Sequence, residues 1–292
     1  MSRIAYVNGR YVRHGEASVH IEDRGYQFAD GVYEVCEVRG GRLLDEARHM
    51  ARLARSLGEL RIATPMTPAA LGVVMREVVR CNRVKEGLVY IQVTRGVAPR
   101  NHPFPSGDVP PAVVVTAKTM ALAPRNRQAE KGVAVITVPD DRWDRVDIKS
   151  ISLLPNVLAK QKAREAGAYE AWFVDRDGFI TEGSSTNAWI VTGEGTVVTR
   201  AAERGLLRGI TRTGVIDLAD LMPFKLEERP FTVAEAQAAS EAFLTSATTA
   251  VTSVVQIDEK PVGEGRPGPV ARKLRPLFQE RMDVATEWAK GA

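Results

Sequence analysis

The stretch RWDRVDIKS, Arg142 to Ser150, sets Lys149 in an extended run of mixed apolar and charged residues rather than in a solvated basic face. Further along, ITEGSSTN, Ile180 to Asn187, carries one carboxylate, Glu182, on a loop of small residues. A lysine embedded in this way can form a Schiff base with an aldehyde cofactor, while the later acid pairs with a protonated ring nitrogen. By spacing alone the two residues also suit a surface lysine and a turn glutamate, the usual place for either type. The choice bears on the fold, because a Schiff-base lysine needs a framework that gathers distant segments.

Working outward, the chain alternates strand and helix signals. Asn8-Gly9 between Ile4–Val7 and Arg10–Val12 reads as a hairpin, since both turn positions want positive φ. Gly31 to Val38 reads as a strand turning at Gly40-Gly41, Arg48 to Leu57 as a helix, and Thr67-Pro68 as the opening of another that runs to Asn82. Leu88–Thr94 and Ala112–Lys118 are apolar, β-branched and bounded by breakers, so both read as buried strands. Between them RGVAPRNHPFPSGDVPP, Arg95 to Pro111, holds five prolines and two glycines and is expected to be an irregular loop. Thr119 to Gln128 changes composition and is the expected linker between residues 1–118 and 129–292.

Beyond it, Val133–Val138, Glu170–Asp175, Phe179–Thr181, Thr186–Thr192 and Glu241–Thr245 read as strands. Pro155–Ala166, stopped by Gly167, Arg212–Met222 and Pro269–Trp288 read as helices, and Thr232 with Glu235 as a capping box. The last helix spaces Val270, Leu274, Leu277 and Phe278 on one face. The expected class is α+β in two domains.

Composition narrows the function. The chain has 292 residues, 44% hydrophobic and 26% charged, with a net charge of +4 spread over interspersed acids and bases. It can bury a sizeable core, and no block of like charge suggests a nucleic-acid arm. Two cysteines, Cys36 and Cys81, favour a reducing compartment over a disulfide framework and have no metal-ligand spacing. No signal-like or membrane-spanning run is present, so a soluble, cytoplasmic protein is expected.

Several segments offer anion donors. Thr211, after Gly209 and Ile210, stands near a helix start where N–H groups and the dipole favour a phosphate. TSATT, Thr245 to Thr249, offers small hydroxyls, and Arg52 a forked permanent cation. Arg100 and His102, two apart on the proline-rich loop, can aim two donors at one carboxylate, with Tyr33 adding a phenol. Each also suits a plain N-cap, loop or solvated surface residue. There is no P-loop and no GxGxxG, so nucleotide binding has little support.

Taken together and in order, EDRGYQFADGVYEV (Glu22–Val35), IQVTRGVAPRNHPFP (Ile91–Pro105), DIKSISLLPNVLAKQ (Asp147–Gln161), TEGSSTN (Thr181–Asn187) and LLRGITR (Leu206–Arg212) resemble the fold-type IV pyridoxal-phosphate enzymes. Among these, they look most like the bacterial D-amino acid aminotransferases. The resemblance implies a two-domain α+β fold, pyridoxal 5′-phosphate as cofactor, and transfer of an amino group from a D-amino acid to a 2-oxo acid such as 2-oxoglutarate or pyruvate. It implies Lys149 as the Schiff-base lysine and Glu182 as partner of the ring nitrogen. Arg52, Ile210, Thr211, Ser246, Ala247 and Thr248 are implied as the phosphate cup, and Leu207 as support for the ring face. Tyr33, Arg100 and His102 are implied to trap the substrate carboxylate, the last two from a neighbouring subunit of a homodimer. Val35 and Glu37 fall where the side-chain pocket is expected.

Two departures stand out against the family pattern. Ala247 replaces a hydroxyl in the cup, a loss of roughly 0.5–1.5 kcal/mol for one neutral hydrogen bond. Glu37 stands where a lysine is common. Branched-chain L-amino acid aminotransferases, 4-amino-4-deoxychorismate lyases and (R)-amine transaminases share the scaffold. The Arg100/His102 pair argues against the first and the last.

Overall fold

A computed structural model describes residues 3–203, 205–219, 222 and 224–288. They form two compact units. The first gathers residues 3–121, Ile148–Ser152 and 285–288, and the second Leu122–Asp147 and Leu153–Val284.

In the first unit, β1 (Ile4–Val7) and β2 (Arg10–Arg13) make the expected hairpin, with Asn8 and Gly9 at φ 45° and 92°. A short helix α1 (Arg24–Phe28) precedes β3 (Gly31–Arg39), which turns back into β4 (Arg42–Leu43). Helices α2 (Glu46–Glu59) and α3 (Pro68–Cys81) follow. Thr67 caps α3 by accepting from the Ala70 N–H, and Pro68 fills the first turn, where its missing donor costs nothing. Strands β5 (Gly87–Thr94) and β6 (Ala112–Thr119) complete an antiparallel sheet of order β2-β1-β6-β5-β3-β4.

Val32, Cys36 and Val38 of β3 join Val89, Ile91 and Val93 of β5 in a core against Leu53 and Leu57 of α2 and Met75 and Val78 of α3. Each such side chain contributes roughly 1.5–3 kcal/mol by leaving water. Strand alternation then sends Tyr33, Val35 and Glu37 to the opposite face.

Residues 149–151 run antiparallel beside the start of β3. The Tyr33 N–H donates to Lys149 O at 3.0 Å and the Ile151 N–H to Gly31 O at 3.1 Å, while Ile148 enters the core. These bonds are why Ile148–Ser152 belongs to the first unit.

The second unit opens with α4 (Leu122–Lys131), so most of the stretch expected as a linker is helix. Then come β7 (Val133–Pro139), α5 (Leu154–Glu165), β8 (Glu170–Val174), β9 (Ile180–Gly183), β10 (Asn187–Val191) and β11 (Val197–Thr199). Helix α6 (Ile210–Ala219), β12 (Leu226–Glu228), α7 (Val233–Ala238), β13 (Glu241–Ser246), β14 (Ala250–Ile257), β15 (Lys260–Pro261) and α8 (Pro269–Trp288) complete it.

The mixed sheet runs β12-β11-β10-β13-β14-β7-β8-β9, with β15 on β14. Its core centres on Trp172, Ile180, Ile190, Phe231 and Leu244. Helix α6 starts two residues before the expected Arg212, and residues 220 and 221 of that expected helix lie outside the described residues. The capping box at α7 forms in one direction. Thr232 Oγ1 accepts from the Glu235 N–H at 3.1 Å, but the Glu235 carboxylate accepts from Arg229 at 2.6 Å. In α8 the buried stripe is Ala271, Leu274 and Phe278, with Val270 and Leu277 only half-buried.

Candidate active site

Lys149 is held by its main chain. Its carbonyl accepts from Tyr33, and its N–H donates to Ser56 Oγ at 3.3 Å. With the backbone fixed on both sides, Nζ lies 4.1 Å from the centre of the Tyr33 ring, which stacks on Tyr90 at 5.7 Å. Val35 follows Tyr33 on the same strand face, and Glu37 beyond it is buried beside Arg39.

Ser56 and Arg52 are one turn apart on α2, so the helix that anchors the lysine segment also carries the arginine. Arg52 does not stand in water. Its Nε and Nη2 donate to Glu34 Oε1 and Oε2 at 2.7 and 2.9 Å, and His49 Nδ1 sits 2.7 Å from Oε2. Glu34 is fully buried, and this fork fixes the plane of the Arg52 guanidinium.

Burial alone would raise the Glu34 carboxyl. The charge and hydrogen bonds of Arg52, helped by His49, outweigh it and hold the group at about 2. A carboxyl depressed on folding adds stability that is complete above its unfolded pKa and lost as pH falls through the folded one. Between about pH 4.5 and 2 the protein should therefore lose roughly 3 kcal/mol through this group. Urea unfolding across that window should show a flatter pH dependence in Glu34→Gln by about this amount. Parallel curves for the two proteins would refute the assignment.

Arg100 and His102 are exposed in the chain, on the irregular loop expected there. They rest against the Phe28 ring, Arg100 Cζ at 5.1 Å and the His102 ring at 5.5 Å between centroids.

In the second unit Glu182 lies within β9 rather than on a loop, because β9 continues through Gly183. It is 5% exposed, and its hydrogen-bond partners among the described residues are donors. Arg142 Nη1 reaches Oε1 at 2.6 Å, and Asn187 Nδ2 and the Leu207 N–H both reach Oε2 at 3.1 Å. Arg142 is shared with Asp140, which takes Nε and Nη2, each at 2.8 Å, and its guanidinium stacks over Phe173 at 4.2 Å.

The two acids respond oppositely. Burial raises both, but two bonds from Arg142 bring Asp140 below its usual range, while Glu182 with one remains above it. A buried carboxylate that binds a proton more readily is a strong acceptor for a ring N–H⁺.

Asn187 also donates to Leu207 O at 3.0 Å, and Gly209 is required here because an added Cβ would overlap Asn187 Oδ1. Three residues after Leu207, Ile210 and the buried Thr211 open α6, and Gly209 O accepts from the Thr213 N–H at 2.9 Å. The pairing of Asn187 with Thr245 brings the β13–β14 turn to the same end of the sheet. There Ser246 Oγ lies 3.1 Å from Thr248 Oγ1 and 2.8 Å from Thr249 Oγ1, so two hydroxyls flank it despite Ala247.

The first unit offers an amine whose main chain is pinned beside β3. Within the second unit, a buried carboxylate, a helix start and a hydroxyl-lined turn suit a protonated ring nitrogen and a phosphate. Arg142, Asn187, Glu34 and His49 are the partners that reading the sequence missed. One signal was available, since His49, Arg52 and Ser56 form a polar streak on the otherwise apolar face of α2.

Three comparisons bear on this arrangement. The family model described as amino-transferase class IV matches residues 31–257. A D-alanine aminotransferase of Bacillus licheniformis is 40% identical over 97% of this chain and 98% of its own, and one of Listeria innocua is 39% identical over 94% and 95%. Among solved structures, a branched-chain amino acid aminotransferase with pyridoxamine 5′-phosphate, from the organism abbreviated T.th., aligns with a TM-score of 0.87 at 26% identity, over 96% of this chain and 94% of that one.

Proposed function

This chain belongs to the class IV aminotransferases, and from that premise we propose that it moves amino groups from D-amino acids to 2-oxo acids such as 2-oxoglutarate or pyruvate. The carrying observation is Lys149, pinned at both main-chain groups beside Tyr33. Similarity to branched-chain enzymes in fold leaves the substrate open, whereas the relatives at about 40% identity support the D-series.

Pyridoxal 5′-phosphate, when bound, supplies an aldehyde that takes up the amino group and a protonated ring that accepts the electron pair released at Cα. Lys149 would hold it covalently, and its amine, once displaced by the substrate's amino group, would take the Cα proton and deliver it to the former aldehyde carbon. Glu182, backed by Arg142, keeps the ring nitrogen protonated. Arg52, Ile210, Thr211, Ser246, Ala247 and Thr248 hold the phosphate, with Leu207 against the ring. Tyr33 and Val35 face the substrate.

Arg100 and His102 clamp the substrate carboxylate, and we assign them to the site of a second copy. Their exposure supports this, as do uncovered apolar side chains at Ile21 (76%), Tyr26 (77%) and Leu154 (69%). No helix among the described residues is long and apolar enough to cross a membrane. The free thiols of Cys36 and Cys81 support a cytoplasmic location.

The test is turnover of paired D- and L-alanine and D- and L-glutamate, with and without a 2-oxo acid. D-selective, acceptor-dependent turnover is expected; L-selectivity or turnover without acceptor overturns the reading. Arg100→Ala should lose on the order of 2–5 kcal/mol in kcat/KM for D-amino acids, and much less for carboxylate-free (R)-amines. Mixing it with inactive Lys149→Ala protein should restore partial activity through heterodimers holding one complete site. Verified exchange without recovery would place the clamp in the same chain as Lys149.

A further inference from the structure

The proline-rich loop poses a backbone problem. Pro99, Pro103 and Pro105 have no N–H, so the segment carrying Arg100 and His102 is poor in donors for its own carbonyls. Those donors come from a side chain. Arg24, 3% exposed, sends Nη1 to Asn101 O at 2.6 Å and Nη2 to His102 O at 3.3 Å.

Its Nε donates to Asp30 Oδ2 at 2.8 Å. Asp30 also accepts from Arg95 Nε at 2.7 Å and Nη2 at 2.9 Å, and Arg95 in turn donates to Leu60 O at 2.8 Å and Arg61 O at 3.0 Å. The arginine is therefore held at its root before it reaches the loop.

The same short segment also grips the start of the loop. The Arg24 N–H donates to Gly96 O at 2.9 Å and the Ala98 N–H to Glu22 O at 3.3 Å. Thr94 Oγ1 donates to Asp23 Oδ2 at 2.9 Å. One ring then lies against both clamp residues and their anchor, because Arg24 Cζ is 4.8 Å from the centre of Phe28, the ring on which Arg100 and His102 rest.

We propose that Arg24, with Phe28 as platform, is a positioning residue that sets the Arg100–His102 turn in its clamping conformation before substrate arrives. The inference rests on the reading of Arg100 and His102 as the carboxylate clamp. Two consecutive carbonyls and one carboxylate surround a single guanidinium, and only a planar fork serves all three. A lysine ammonium, as a point donor, does not. Preorganising the turn removes its ordering cost from substrate binding, so the effect falls on KM rather than on proton transfer at Cα.

The experiment compares Arg24→Lys, Phe28→Leu and Arg100→Ala holoenzymes with D-alanine as amino donor, recording KM, kcat and Tm. Arg24→Lys should raise KM about tenfold with kcat changed by less than about threefold, and the Arg24→Lys/Arg100→Ala double variant should be little worse than Arg100→Ala alone. Phe28→Leu keeps every hydrogen bond and tests the platform if Arg24→Lys fails to fold; it should show the same split. Unchanged KM in a folded variant overturns the proposal, and so does a full multiplicative penalty on the Arg100→Ala background. If Arg100→Ala itself leaves KM and kcat unaltered, the clamp reading has failed, and this inference falls with it.

Discussion

Lys149→Ala protein should fold, bind cofactor weakly and show no multiple turnover. The residue contributes to the fold through its main chain, by the Tyr33 and Ser56 hydrogen bonds, and those survive loss of the side chain. Chemistry, by contrast, depends on Nζ, and a positioned acid–base group alone is worth about 10²–10⁴ in rate. Covalent attachment adds to that, so turnover should fall beneath detection while Tm changes little.

Borohydride reduction of the native holoenzyme followed by peptide mapping gives the direct readout, with the label on the peptide containing Lys149. Label on Lys118, Lys131 or Lys160 would sink the assignment. Lys118 and Lys131 are exposed, and Lys160 is engaged with Tyr169 O at 2.5 Å and Glu170 at 3.3 Å, so none has the same setting.

Glu182→Gln should lose most activity yet retain bound cofactor. The carboxylate meets donors from Arg142, Asn187 and the Leu207 N–H. An amide has to turn its NH₂ toward one of them, and it carries no charge to balance a ring N–H⁺. The loss should be on the order of a hundredfold or more in kcat, the scale for one preorganised electrostatic partner. Arg142 keeps its two bonds to Asp140, so the network should hold and Tm should fall only modestly. Near-native kcat in a holoenzyme of this variant would rule out the role of Glu182.

Much of the fold was legible because local rules and tertiary context agree. The Asn8-Gly9 turn, the Thr67-Pro68 helix start and the two long strands β5 and β6 follow from turn chemistry, capping and β-branched composition. What stayed hidden was short or polar. β11 and β12 are three residues each, and α4, though spanning ten residues, has no buried residue to give it an apolar period. The boundary between the two units, at Ala121 and Leu122, falls within the expected linker, but the helix there went unread for that reason. Glu182 was read on a loop because Glu-Gly-Ser-Ser is turn-like in composition, yet pairing of β9 with β8 carries the strand through Gly183.

The class of chemistry could be read from the order of residues alone. The ordered motifs make Lys149, Glu182, Arg52, Thr211 and the Arg100/His102 pair the candidates for it, because a reaction demands residue types and those are written in the chain. How each is held depends on the closed chain. Only folding could show that β3 pins the lysine main chain, that Glu34 orients Arg52, that Arg142 is divided between Asp140 and Glu182, or that Arg24 grips the clamp loop. Apart from Arg142 and Asp140, two positions apart, these partnerships join residues from 18 positions apart (Glu34 and Arg52) to 116 (Tyr33 and Lys149). Over those distances a sequence carries no local signal, and hydrogen-bond geometry exists only once the chain has closed.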